Sequence, residues 1–437
     1  METFKVSVDL EFRISAFPIE FSEACLEVQR LRQELGLLVI ENLMRKFEEY
    51  SMINDISLMG AERHDYRKRS FGSCLGRLEL KLLRVKPVGE KTRYAVGRQV
   101  LFESGHYTKD SLEPSVSLLP LLSYRRSSAE SRNLTGTGPT KSTLHRRVKE
   151  LEPMLDKHPE NEAPGYRYLF VDGTGVRIQE WVWTDAGQKR IFEQGELRIV
   201  YASQGLNVPP VVVGRWMKDT SWEEIAKETF ERIRAADVVQ LTTDGEEGIE
   251  AAFLRPGMRF QRCTTHGWRS FKQSLYLDGI SKDERAAIMK RLYSVPVFDC
   301  AVKAHLEALK PEDRDMIAEQ LRKSESSLAE LQRFMKSKGY QKAATYLENL
   351  ADPLLSFMRS WLKDGKVSPT TNNIPENRFS LIKNRIKNIG KRWSDRGVLR
   401  LVDLAIHKLF PGYDWKEFWN QIMPRANRIT GYIVAVR

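Results

Sequence analysis

YRYLFVD (166–172), RIQEWVWT (177–184) and LRIVYAS (197–203) are short apolar runs rich in β-branched and aromatic residues. They are bounded by the glycine-bearing stretches DGTG and GQKRIFEQGE, as strands bounded by turns are. VVVGRWM (211–217) is a further strand candidate. SWEEIAKETFERIRAAD (221–237) has the period of an amphipathic helix, and DVVQLTTD (237–244) returns to a strand. A helix over about 248–253 and a strand at RFQRCTT follow.

Three early antiparallel strands, a helix and further buried strands are the order an RNase H-like mixed α/β sheet produces. Residues 268 to about 365 read as almost wholly helical, an α-helical insertion into that sheet domain. Ahead of it, SYRRSSAESRNLTGTGPTKSTLHRRVKE (123–150) reads as a helix-turn-helix. The first helix spans 127–134, the turn 136–139 and the second helix 140–151, with Thr140 as its cap. On the second helix Leu144 and Val148 face inward at i, i+4. Lys141, Ser142, His145, Arg146 and Lys149 are left outside, as on a recognition helix. GTGPTKS is no phosphate-binding loop, because Thr140 stands where a glycine should precede Lys141 and no buried strand leads into it. Near the start, alternation from Phe4 to Ile14 predicts a strand, Phe21 to Tyr50 a helix and Leu78 to Leu82 another strand. The expected organisation is an α+β module (1–115), a helix-turn-helix region (116–160), a first part of the sheet core (161–267), the helical insertion (268–365) and a second part of the core (366–437).

The 437 residues carry a formal charge of +12, and its placement matters more than its size. Residues 124–149 hold seven Lys/Arg against one Glu, and 377–409 hold nine against two Asp, which accounts for the whole excess. Concentrated positive charge is the footprint of a polyanion, since each neutralised phosphate releases condensed counterions. The plainer alternative is a pair of solvated helix faces. No apolar run is long enough for a transmembrane helix and the first residues lack a signal-peptide pattern, so no membrane association is expected. Four widely spaced cysteines argue against a disulfide framework and for a reducing compartment: cytoplasm with nucleoid in a prokaryote, otherwise the nucleus.

Asp172 and Asp244 each end an apolar strand and are followed by glycine, in VDGTG and TDGEEG. Taken singly, an Asp-Gly pair is most often a turn. Taken together, two carboxylates on neighbouring strands of one sheet come close enough to share divalent cations. Glu376 lies in TTNNIPENRFSLIKNRIKN, where Asn373 and Glu376 also fit a capping box. At 100° per residue, however, Phe379, Ile382, Ile386 and Ile389 form one apolar face, while Lys383 and Lys387 return to within about 20° of Glu376. A carboxylate beside a basic track is more than a cap requires. Three carboxylates suit phosphoryl transfer on DNA: oxygen donors select two Mg²⁺ or Mn²⁺ ions about 3.5–4 Å apart, and water or a DNA hydroxyl is the nucleophile.

VDGTG, TDGEEGIEAAF, QRCTTH and TTNNIPENRFSLIKNRIK, in that order, resemble the DDE transposases of the Mutator-like superfamily, including the bacterial insertion-sequence members. The similarity spans about residues 165–410. It implies an RNase H-like core, a metal-binding triad at Asp172, Asp244 and Glu376, metal-dependent cleavage at transposon ends, and strand transfer by a freed 3′-hydroxyl. The implied partners are end and target DNA, with a homodimer or larger assembly and no nucleotide cofactor. Arg146, Arg147 and Lys149 are expected at phosphates or bases, with Lys383, Arg385 and Lys387 holding the flanking strand. Trp393, among basic residues, is expected to stack on unpaired bases, whereas Trp361 reads as core. QRCTTH matches the family's Cys-x-x-His signature at Cys263 and His266. A zinc site completed by Cys300 and His305 ranks below the simpler reading, a core cysteine and a histidine that positions DNA or a carboxylate. Two rivals share these residues: a domesticated, non-catalytic DNA-binding regulator, and a structure-selective nuclease on the same core.

Overall fold

A computed structural model describes residues 5, 6, 8, 13, 20–97, 100, 106–155, 165–185, 187–206, 208–306, 311–365, 368–389, 393–410 and 413–422, with backbone alone at 33, 302–306, 311 and 373–378. Two compact units result: residues 1–152 with 415–437, and residues 153–414. None of the four cysteines is in a disulfide among the described residues. Among the described residues, no helix is long and apolar enough to cross a membrane.

In the first unit, helix α1 (Phe21–Asn54) packs Leu37, Ile40 and Met44 onto Phe71, Leu78, Leu80 and Leu82 of a three-stranded sheet. That sheet runs β1 (Glu62–Ser73), β2 (Gly76–Lys86), β3 (Arg93–Tyr94), antiparallel throughout. The predicted strand at Leu78–Leu82 lies within β2, and of the alternating stretch 4–14 most lies outside the described residues. Helices α2 (Lys109–Ser117), α3 (Tyr124–Thr135) and α4 (Lys141–Glu150) follow. The turn between α3 and α4 needs two of its glycines. Gly136 caps α3 at φ 73°, where an L side chain is strained, and a Cβ on Gly138 would stand 2.8 Å from the Ser128 carbonyl oxygen. A short helix α5 (Glu152–Leu155) leads into the second unit.

The second unit is built on a mixed five-stranded sheet. Strands β4 (Tyr168–Thr184), β5 (Gly187–Ser203) and β6 (Val211–Met217) are antiparallel neighbours, and β7 (Gln240–Thr243) and β8 (Arg259–Arg262) add in parallel on the other side of β4. The order is β6-β5-β4-β7-β8. VDGTG does not break the first strand: β4 runs through it without a register shift, so 166–172 and 177–184 belong to one strand and not two. Gly173 and Gly175 are there for closeness. A Cβ on Gly173 would stand 2.6 Å from Glu196 Oε1, and one on Gly175 2.4 Å from Gln194 Nε2.

One face of the sheet packs Leu169, Val171, Val200 and Val213 against helices α6 (Trp222–Arg232) and α7 (Ile249–Phe253). The other face carries Tyr201, which stacks on Phe410 and meets Phe379 edge-on. The helical expectation for 268–365 holds: α8 (Thr264–Leu277), α9 (Lys282–Tyr293), α10 (Pro296–Leu306), α11 (Arg314–Ser337), α12 (Gln341–Leu354) and α13 (Ser356–Asp364) share a core that includes Phe271, Leu331, Leu347 and Trp361. The chain then returns to the sheet as α14 (Asn373–Asn384), a π-helical turn over Arg385–Ile389, and α15 (Asp395–Leu409). Helix α16 (Trp415–Ile422) belongs to the first unit, where the Trp415 indole donates to Glu113 at 3.2 Å.

Candidate active site

Strand register brings Asp172 and Asp244 to neighbouring positions. β4 and β7 are parallel, with Tyr168 opposite Gln240 and Val171 opposite Thr243, so the next residue on each strand is an aspartate. Residues abreast on parallel neighbours point to the same face. Asp172 is buried, 4% exposed, and sits on the face that α14 covers. Asp244 is half-buried just past β7, where its Oδ1 accepts the Glu246 amide at 3.0 Å. Gly245 makes that turn possible: its φ is 89°, and a Cβ there would fall 1.5 Å from the Arg262 guanidinium.

Four hydrogen bonds sew the segment entering α14 to this part of the sheet. Gln240 Nε2 donates to the Pro369 carbonyl at 2.7 Å, and the Thr264 amide to Thr370 at 3.0 Å. The Asn372 amide donates to Cys263 Sγ at 3.4 Å, while its Nδ2 reaches the Val171 carbonyl at 3.4 Å. The Cys263 amide in turn donates to Thr243 at 2.8 Å. Helix α14 therefore starts within reach of the residues that precede both aspartates. Its N-cap is Asn372, whose side chain makes no capping bond, and the Asn373 side chain that the alternative capping box would use lies outside the described residues. Glu376 lies on α14, and its side chain falls outside the described residues.

Lys383, two turns further along α14, places Nζ 3.3 Å from Asp172 Oδ2. Lys387 lies in the same field: its pKa is depressed by partial burial and by Lys383, with Asp172 opposing. Phe379, Ile382 and Ile386 are buried, which seats the helix; each such side chain contributes roughly 1.5–3 kcal/mol. Ile389 is 37% exposed instead of continuing the apolar face, because the π-helical turn shifts the phase after Arg385. The fit to a hard divalent cation rests on donor type. Asp172 is a buried carboxylate that already draws a positive group to its oxygen, and Asp244 brings a second oxygen donor abreast of it.

Two expected DNA contacts are corrected. Trp393 is only 8% exposed; its indole donates to the Ile386 carbonyl at 3.1 Å and its own carbonyl accepts the Gln179 amide at 2.7 Å. A ring pinned to the edge of β4 is not available to bases. Arg385 is 2% exposed, with its guanidinium 5.0 Å over the Trp393 ring. Both readings failed because a run of basic neighbours says nothing about which side chains the helix turns inward. Cys263 is buried at the start of α8 and His266 is half-buried one turn on. Cys300 packs in the helical core, and the His305 side chain lies outside the described residues.

In the other unit α4 presents what its sequence promised. Leu144 and Val148 are buried, and Lys141, Ser142, His145, Arg146 and Lys149 are exposed. Thr140 Oγ1 accepts the Thr143 amide as the cap. Arg147 departs from expectation: its side chain is 20% exposed and pairs with Glu150 at 2.7 Å. Sequence reading also missed a cluster on the opposite face of the sheet from Asp172. Arg198 bridges Glu196 at 3.0 Å and Glu246 at 3.5 Å, under the Trp222 ring, and burial raises the pKa of Glu246. The glutamate pair EE after TDG was the only sign of it.

No family model matches the chain, and no curated protein does. Among solved structures it is similar to the Drosophila P element transposase strand transfer complex, at 12% identity and a TM-score of 0.26, over 74% of this chain and 82% of that one.

Proposed function

We propose that the chain is a metal-dependent DNA phosphoryl-transfer enzyme, a DDE transposase of the kind its motifs resemble. One observation carries this reading: Asp172, within β4, follows the last residue paired with the parallel strand β7, and Asp244 follows the end of β7 itself, with the helix bearing Glu376 stitched to the residues beside them. The strand order β6-β5-β4-β7-β8, three antiparallel strands followed by two parallel to the first, supports an RNase H-like core. Two Mg²⁺ or Mn²⁺ ions held by Asp172, Asp244 and Glu376 would supply an activated oxygen nucleophile and neutralise the leaving oxygen.

The protein's own part is positioning. Burial of Asp172 and the turn fixed by Gly245 hold two carboxylates without further reorganisation, and preorganised charge lowers the barrier most. Lys383 and Lys387 give the phosphodiester an anchoring charge next to Asp172. In the separate unit, α4 recognises the ends through Arg146 and Lys149.

The test is Asp172→Asn, incubated with end-sequence DNA and Mg²⁺, with EDTA as control. Cleavage and joined products are expected to fall by more than about a hundredfold while DNA binding stays near the wild-type level. Undiminished nicking by the variant removes the proposal.

A further inference from the structure

The β4–β5 hairpin extends well beyond the sheet. β4 pairs with β7 only as far as Val171, β5 pairs with β6 only from Leu197, and the other edge of β4 is covered at Gln179 by Trp393. From Glu180 to Gly195 the hairpin is therefore, among the described residues, a two-stranded ribbon, and such a ribbon has little of its own to bury. Yet Trp183 is 80% exposed, Phe192 56% and Trp181 54%. Large apolar groups kept on a free-standing ribbon mark a contact surface.

The register puts them on one face. Gln179 is opposite Phe192, Trp181 opposite Arg190 and Trp183 opposite Gln188, so the three rings share a face with Arg190 and with exposed Arg177. The Arg190 guanidinium lies 4.5 Å from the centroid of the Trp181 ring. The carboxylates of this ribbon, Glu180 and Glu193, alternate to the other face, where they and Asp219 help raise the pKa of Asp395 behind its burial. Rings, arginines and amides are thus on one side and acids on the other. Side chains two residues apart on a strand are spaced by roughly 7 Å, about twice the roughly 3.4 Å rise of stacked bases, so a base fits between consecutive tryptophans.

We infer that this face of the β4–β5 hairpin is a stacking platform for unpaired DNA bases. Aromatic rings supply sequence-tolerant stacking and the two arginines meet the backbone charge, the combination by which single strands are held. Arg177 and Arg190 lie on the ring-bearing face while Glu180 and Glu193 lie on the other, a charge placement that favours a polyanion as the occupant. The choice of DNA rests on the function proposed above, whereas the stacking does not.

The full-length chain is titrated with labelled oligothymidine and with a duplex of equal length, in EDTA so that no cleavage intervenes, by fluorescence anisotropy. Trp181→Ala with Trp183→Ala is expected to weaken oligothymidine binding at least tenfold and duplex binding less than twofold, with the corresponding Phe pair restoring most of the loss. Unchanged oligothymidine affinity in the alanine pair overturns the inference, as does an equal fall for duplex, a wild-type preference for oligouridine, or loss of self-association in sedimentation without loss of binding. Asp172→Asn is expected to bind like wild type here, so failure of the cleavage reading leaves this result legible.

Discussion

Asp172 and Lys383 form an ion pair on the sheet face that α14 covers. A carboxylate 6% exposed at its side chain carries a large desolvation cost unless a cation answers it, and Lys383 does so at 3.3 Å. Lys383→Met is therefore expected to lower stability by about 1–2 kcal/mol, less than for a fully enclosed pair because the lysine is 30% exposed. Urea unfolding with and without Mg²⁺ checks this, with the divalent ion expected to restore part of the loss; an unchanged midpoint would detach Lys383 from Asp172. At this scale the sequence was legible where chemistry is tied to a local pattern. Asp172 and Asp244 were visible as acids closing apolar runs. Trp393 and Arg385 were not, because their burial depends on the edge of β4, far away in the chain.

Helix α4 is the element whose periodicity translated most directly into surface. Two buried residues at i, i+4 fix its phase, and the exposed basic side follows from that alone. Since α4 faces solvent with Arg146 and Lys149, Arg146→Ala with Lys149→Ala is expected to weaken DNA binding and to reduce the slope of log affinity against log salt by about 2, one unit for each phosphate left without its cation. Anisotropy at several salt concentrations measures the slope, and an unaltered slope with weaker binding would assign these residues to folding instead. Strand β4 shows the opposite lesson. Its Asp-Gly pair resembled a turn, and the strand continues because its pairing with β5 runs unbroken from Tyr168 to Thr184. Helix α14 was placed by its apolar stripe, but its N-cap at Asn372 came from hydrogen bonds to Val171 and Cys263.

For the molecule as a whole, stability at acid pH is expected to hinge in part on His407, buried in α15 with a ring nitrogen 3.4 Å from the Leu155 carbonyl. Burial lowers its pKa below the ordinary 6.5, with the Leu155 bond opposing. The unfolded chain takes up a proton near that ordinary value while the folded chain resists it. The contribution is thus fully present above about pH 6.5 and lost as the pH falls through the depressed folded value. The melting temperature of the wild type should drop more steeply from pH 7 to pH 5 than that of His407→Asn; parallel curves would exclude the histidine. What the sequence determined by itself was what short-range period sets: the helices over 264–364, the exposed basic side of α4 and the acids that close apolar runs. Only the tertiary structure decided that Val171 lies opposite Thr243, that residues 368–372 return to the same part of the sheet, and that the far half of the β4–β5 hairpin has no third strand among the described residues. Parallel register and such returns are fixed by hydrogen bonds between segments remote along the chain, and no local periodicity encodes which segment meets which.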